Sequence, residues 1–158
     1  MTERQFWMKA DQIAESRQPD EEKEEKMAEL LKTAYDENLN LMIMTDGEHH
    51  SYINLDNLHP NTIGNRGMLC YTSRRKAQAD PFLIRFTFGR AGTRDILNNL
   101  FNKAVIGRLI FNDYLPTECV VVSKQKLMDH IPGPYPRPEN FVDVPVHGYP
   151  VIAGGKRP

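Results

Sequence analysis

Apolar positions recur at the helical period at both ends of this chain and alternate or cluster as strands do in between. Phe6, Trp7, Ala10, Ile13 and Ala14 share one helical face, which predicts an amphipathic helix over residues 3–16 with Trp7 as its anchor. Pro19 suits the first turn of a second helix because its missing N–H would have no partner there, and Asp20, Glu21 and Glu22 are favourable at that positive end. Met27, Leu30, Leu31, Ala34 and Tyr35 then form an i, i+3, i+4, i+7, i+8 stripe. The charged run of residues 21–26 reads as the solvated face of that helix.

Strand patterns follow. Residues 39–45 are a short apolar run, Asp46 and Gly47 supply a turn signal, and Tyr52, Ile53 and Leu55 continue the pattern as a β-hairpin. Residues 56–67 are rich in Asn, Gly and Pro and read as a surface loop; residues 68–72 resume a strand, and residues 74–79 suit one or two helical turns. Phe82, Ile84, Phe86 and Phe88 alternate as a half-buried strand does. Residues 89–92 read as a turn leading through a Thr93 cap into a helix that carries Ile96, Leu97, Leu100, Phe101, Ala104 and Val105.

Gly107 breaks that helical period before the strand run Leu109, Ile110 and Phe111. Val120, Val121 and Val122 form a second run, and Ser123 is placed to cap a helix bearing Leu127, Met128 and Ile131. This helix, strand, strand, helix unit over residues 95–131 is the expected centre, with Leu100, Phe101, Leu109, Ile110, Val121 and Leu127 in one core cluster. The fold class is a single α+β domain: a mixed or mainly antiparallel sheet backed by helices, with an N-terminal helical segment and a proline-rich C-terminal tail. Seven of the eleven prolines lie in residues 132–158, where Phe141, Val142, Val144 and Val146 suit an edge strand.

Composition adds bounds. The chain has 158 residues, 40% hydrophobic and 26% charged, which suits one domain able to bury its own core. Net charge is −1, yet the first 37 residues hold 11 acids against 6 bases and the remainder 10 against 14, a split of about −5 and +4. One acidic helix accounts for that split, so nucleic acid is disfavoured as a partner. Cys70 and Cys119 sit in apolar runs with no metal-ligand spacing and read as buried thiols. No segment has the length of a signal peptide's apolar core or of a membrane span, so the expected setting is cytoplasmic.

The segment Leu69-Cys70-Tyr71-Thr72-Ser73, a strand ending in an aromatic-Thr-Ser step, and Gly107-Arg108-Leu109-Ile110-Phe111-Asn112, a Gly-apolar-Asn strand, together resemble the N-terminal domain of the SseB family, bacterial proteins named for an effect on serine sensitivity. The resemblance spans residues 25–131, leaving residues 1–24 as a helical extension and 132–158 as a tail. Asp113 stands where the family has proline. What the resemblance implies is a small α+β domain with no carried-over catalytic residues, acting as an interaction or regulatory module through a protein partner or self-association.

Three chemistries compete with that expectation. Asp46, Glu48, His49, His50 and His59 cluster as possible metal ligands, but without diagnostic spacing they read as exposed turn residues and no metal is expected. Ser51, Ser73 and Ser123 lack a GxSxG elbow, so no hydrolase triad or other enzyme signature is present. The sharper alternative is a small-molecule or nucleotide phosphate site at the 90–94 turn, where Arg90 and Arg94 would grip an anion beside the amides of Gly92 and Thr93. That alternative needs only an anionic ligand and no cofactor.

Overall fold

The computed structural model describes residues 1–45, 49–54, 63–80, 87–138 and 142–145, with only the backbone described for 44–45, 49–54, 87–88 and 142–145. The described elements are α1 (Glu3–Glu15), α2 (Asp20–Glu37), β1 (Asn40–Thr45), β2 (His49–Asn54), β3 (Arg66–Cys70), α3 (Arg74–Gln78), β4 (Thr87–Gly92), α4 (Thr93–Asn102), β5 (Ile106–Phe111), β6 (Val120–Ser123), α5 (Lys124–His130) and β7 (Val142–Pro145). They form one α+β unit.

Helix ends follow local chemistry. Thr2 and Gln5 make a reciprocal capping box at α1: the Thr2 hydroxyl accepts from the Gln5 N–H at 3.2 Å, and Gln5 Oε1 accepts from the Thr2 N–H at 2.9 Å. Pro19 is the N-cap of α2 rather than part of its first turn, and its carbonyl accepts the Glu22 and Lys23 amides. α2 stops at Asn38, whose φ of 50° is left-handed, a conformation Asn adopts more readily than most residues. Ser123 caps α5 as its spacing implied, accepting the Lys126 N–H at 3.2 Å.

The sheet runs β4-β1-β2-β3-β5-β6, with β7 joining β2 outside that path. β3 with β5 and β2 with β7 are parallel, and the remaining pairs are antiparallel, so the sheet is mixed. One difference from the sequence pattern concerns residues 89–92. They are strand rather than turn: β4 pairs with β1 along its whole length, from Thr45↔Thr87 to Asn40↔Gly92. Glycine and alanine carry no strand signal of their own, and the order comes from the β1 backbone instead. Phe82, Ile84 and Phe86 lie outside the described residues.

Both faces of this sheet are covered, which splits the expected core cluster in two. Leu41, Ile43, Met68, Cys70, Leu109, Phe111, Val120 and Val122 pack toward α1, α2, α4 and α5 with Leu100 and Leu127. The intervening Met42, Leu69, Tyr71 and Ile110 face the other way, with Val121 beside them, toward Ala77 of α3, Cys119 and Tyr114. Alternation of period two therefore puts Ile110 and Val121 across the sheet from Leu100 and Leu109. The continuous apolar runs are explained by the same fact, since a strand buried on both faces has no polar side. Cys70 and Cys119 are buried in opposite layers, and burial pushes the Cys70 thiol well up.

The boundaries drawn from the resemblance also move. α1 is no extension: Phe6, Ala10 and Ala14 are buried in the main cluster. The tail begins inside the packed body, because the Tyr135 ring lies 4.1 Å from that of Phe101 and its hydroxyl donates to the Ile131 carbonyl. The run of residues 21–26 is not simply solvated either. Lys23 is buried and donates to the carbonyls of Ala14 and Thr117; Glu24 accepts the edge amide of Ser123 at 2.8 Å; Glu25 bonds Lys126 and His130. Lys126 holds the Glu25 carboxyl below its usual range, outweighing desolvation. These charges dock α2 on β6 and α5.

Phe6→Ala should therefore cost about 3–5 kcal/mol, the range for truncating a buried aromatic. Chemical denaturation measures it, and a midpoint equal to wild type would return α1 to the status of an extension.

Candidate functional site

The parallel pair β3 and β5 ends at Cys70 and Phe111, so the chain leaves the sheet twice at the same end. Residues 71–73 lead into α3, and residues 112–118 lead toward β6. Asn112 has a left-handed φ of 56°, and its amide N–H donates to the Cys70 carbonyl at 3.0 Å. Its side chain then joins the two exits: Oδ1 accepts the Thr72 N–H at 3.1 Å, and Nδ2 donates to Thr72 Oγ1 at 2.8 Å and to the Glu118 carbonyl at 3.1 Å. A buried carboxamide with both N–H donors used and its oxygen accepting makes a rigid link.

Lys76, on α3, adds charge to this link. Its side chain is 4% exposed, and its ammonium bonds Asp11 and Glu15 of α1 and stands 3.8 Å from Glu118. Asp11 also accepts from the Thr72 hydroxyl at 2.7 Å. Burial opposes the charge on Lys76, but the hydrogen bonds to Asp11 and Glu15 and the nearby carboxylate charges outweigh it and raise its pKa. Tyr114 donates to the Lys76 carbonyl at 2.8 Å, and burial together with the charges of Asp80 and Glu118 holds its phenol neutral to a higher pH than usual. The Tyr71 hydroxyl donates to Asp80 at 2.8 Å, closing α3 from the other end.

This cluster holds protons in place. Lys76 is kept protonated, so it is a poor base or nucleophile, and the Thr72 hydroxyl is committed to Asp11 on one side and Asn112 on the other. Beside the cluster lies a shallow groove of about 230 Å³ between α1, β1 and the start of α3. Trp7, Met8 and Met42 supply its apolar lining, with Arg4, Asp11 and Arg74 at its polar margin. The Trp7 indole donates to the Asn40 carbonyl at 3.1 Å, and the Arg90 guanidinium sits 6.0 Å from its ring centre while pairing with Glu3 at 3.6 Å. A larger hollow of about 600 Å³ between α1 and α2 is bounded by Lys9, Lys26, Ile13 and Leu30. It has no aromatic anchor and opens between long solvated side chains, so the smaller groove has the stronger features of a site.

The four residues of the expected anion site fall into two groups. Arg90 lies on β4 by Trp7. Arg94 reaches back to the end of α2, where its guanidinium donates to the carbonyls of Tyr35 at 2.9 Å and Asp36 at 2.6 Å. The Thr93 amide and hydroxyl both go to the Leu39 carbonyl, and the Arg94 amide goes to Asn38 Oδ1 at 3.3 Å. Gly92 sits close to this joint: a Cβ there would stand 3.0 Å from Asn38 Oδ1, so the Asn38 side chain would have to shift slightly. The Thr93 and Arg94 N–H groups thus already bind oxygens of the chain, and the stretch is a joint between α2 and α4.

Of the cluster expected as turn residues, Asp46, Glu48 and His59 lie outside the described residues, and His49 and His50 are described by backbone alone. Among the described residues no group of three His, Cys, Asp or Glu is placed to hold a metal ion. Sequence reasoning missed Asp11, Lys76, Glu118 and the groove. The only signal was indirect: Thr72 and Asn112 belong to the two motifs noted above.

The geometry defines a class, a mixed-sheet α+β protein whose ion-paired polar cluster closes the ends of β3 and β5 beside a Trp- and Met-lined groove. Compared with models of protein families, with curated proteins and with solved structures, the chain matches none.

Lys76→Met should destabilise the protein by about 1–3 kcal/mol, because it removes the charge-assisted hydrogen bonds to Asp11 and Glu15 while water reaches the partly exposed carboxylates left behind. A group whose pKa rises on folding stabilises fully below its unfolded value and loses that contribution as pH climbs through the folded one. Wild-type stability should accordingly decline above the ordinary lysine value of about 10.4, and Lys76→Met should lack that component in urea melts from pH 8 to about 11. Arg94→Ala should cost about 0.5–1 kcal/mol through the lost bonds at the end of α2. Inorganic phosphate, at ionic strength matched with chloride, should leave the thermal melts of both proteins in place; a phosphate shift confined to wild type would restore the anion site.

Proposed function

We propose that this protein is a cytoplasmic, non-enzymatic interaction or regulatory module, the role implied by the resemblance to the SseB N-terminal domain. The observation that carries the reading is the juxtaposition just described. The polar groups beside the groove are engaged with one another, while the groove itself presents Trp7, Met8 and Arg4, residue types enriched at the centres of protein interfaces. Met8 is 54% exposed, among the few large apolar side chains that the described surface leaves open.

Further support comes from the residues that carry the resemblance, since Thr72 and Asn112 hydrogen-bond each other and thereby shape the groove's inner wall. The buried thiol of Cys70 suits a reducing compartment. Among the described residues no helix is long and apolar enough to cross a membrane, so a soluble protein partner or a second copy of the chain is the expected ligand.

Site-specific photocrosslinking tests this. With p-benzoylphenylalanine replacing Met8 in the full chain, irradiation of living cells should yield a discrete adduct, either with another protein or with a second copy. The same group at Ile63 or Met128, which are exposed elsewhere, should not. No adduct at Met8, or equal adducts at all three positions, would reject the groove as an interaction surface.

A further inference from the structure

We infer that the groove beside Trp7 receives a second copy of this chain. Two α1 helices lie antiparallel about a two-fold axis near Met8, so that each Met8 enters the other copy's groove and each Arg4 meets the other's Asp11 and Glu15. The inference rests on the interaction reading above and names the partner.

The groove and its filler stand side by side on one helix. At about 230 Å³ the groove has room for one large side chain and falls below the roughly 300–1,000 Å³ typical of small-molecule pockets. Met8 projects from its margin, 54% exposed, and is a flexible apolar side chain suited to a hollow lined by Trp7 and Met42. A knob and a hole on the same surface satisfy two-fold pairing, in which every contact is made twice. The bond from the Trp7 indole to the Asn40 carbonyl already holds the ring, so little ordering is left for the moment of association.

Charge sets the direction of the helices. Arg4, Met8, Asp11 and Glu15 follow one another at i, i+4, i+7 and i+11 along one stripe of α1, away from the buried Phe6 and Ala10. Arg4 is exposed and has no partner among the described residues. Asp11 and Glu15, with Glu118, surround the single Lys76 ammonium, so carboxylate is in excess there. Lys76 engages Oε1 of Glu15, a side chain 45% exposed whose second oxygen can accept a further donor. At a rise of about 1.5 Å per residue, Arg4 stands about 6 Å before Met8, and Asp11 and Glu15 stand about 4.5 and about 10.5 Å after it. Antiparallel pairing centred on Met8 therefore brings Arg4 of one copy level with the interval between Asp11 and Glu15 of the other, whereas parallel pairing would set Arg4 on Arg4. Residues 1–17 hold three acids and three bases, so the pairing helix is neutral and the acid surplus of the N-terminal quarter lies on α2. Arg74, engaged within its own chain, takes no part.

One face of a 13-residue helix covers less than the roughly 1,200–2,000 Å² of a lasting complex, so the pair is weak and reversible. Sedimentation equilibrium of the full chain from about 10 μM to about 1 mM should show the mass rising from monomer toward dimer. The emission of Trp7, the single tryptophan, should shift over the same range. Arg4→Glu and Glu15→Arg should each weaken association at least about fivefold, since each substitution reverses both symmetry-related pairs. Mixed in equal amounts, the two variants should associate with each other, because every crossed contact again sets a guanidinium against a carboxylate. Misfolding cannot mimic that gain. The double variant Arg4→Glu, Glu15→Arg should recover self-association for the same reason.

A monomer throughout that range would overturn the inference, whatever the variants do. So would a mixture of the two variants, each folded by circular dichroism, that associates no more than either alone. Should Glu15→Arg fail to fold, Arg4→Ala decides: it removes an exposed side chain and should weaken association by about 2- to 30-fold, two exposed ion pairs being lost at once, and no change would overturn the pairing. If the chain is monomeric although Met8 crosslinks to another protein, the inference fails and the interaction reading stands; if the crosslink is absent too, that reading falls with it.

Discussion

The Lys76 ammonium, buried among the carboxylates of Asp11, Glu15 and Glu118, is the interaction on which the arrangement of α1, α3 and the ends of β3 and β5 depends. A lysine charge taken out of water is tolerated only if opposite charge and hydrogen bonds replace the lost hydration. Two of the three carboxylates come from α1. Helix α1 is therefore bound to the far side of the sheet through α3 as well as to the near side through Phe6, Ala10 and Ala14. That double attachment sets Trp7 and Met8 beside β1 and creates the groove. Asn112 and Thr72 complete the frame, because the bonds between them hold the exits of β3 and β5 at a fixed separation.

The uneven charge of the chain resolves in the same way. Carboxylates of the acidic N-terminal quarter pair with cations of the later sequence: Glu3 with Arg90, Asp11 and Glu15 with Lys76, Glu25 with Lys126. Glu24 meets the open edge of β6 by accepting the Ser123 amide, which blunts a strand edge that would otherwise be available for pairing. Lys23 joins the end of α1 to the segment before β6 through two backbone carbonyls. Each such contact is modest by itself. Together they orient α1 and α2 on a sheet whose apolar faces alone would allow sliding.

Much of the architecture was legible because it is local. The stripe from Met27 to Tyr35 requires a helix with one buried face, and Ser123 before Leu127 marks a helix start, since both depend on residues a few positions apart. The strand at Val120–Ser123 was legible for a similar reason, β-branched side chains favouring an extended backbone. Residues 89–92 were not. Their strand conformation is imposed by pairing with β1, nearly fifty residues earlier in the chain.

The candidate site divides along the same line. Periodicity, capping chemistry and apolar content by themselves determined the helices, most of the strands and the α+β class, because those properties act over one or two turns of chain. Which of two neighbouring apolar residues faces which layer was decided by the register of the sheet, as with Leu109 and Ile110. Arg94 was assigned to the end of α2, Lys76 to the carboxylates of α1, and Trp7 to the groove only by tertiary packing. An ion pair between residues 65 positions apart leaves no periodic trace, since either partner alone is an ordinary surface charge until the fold buries it.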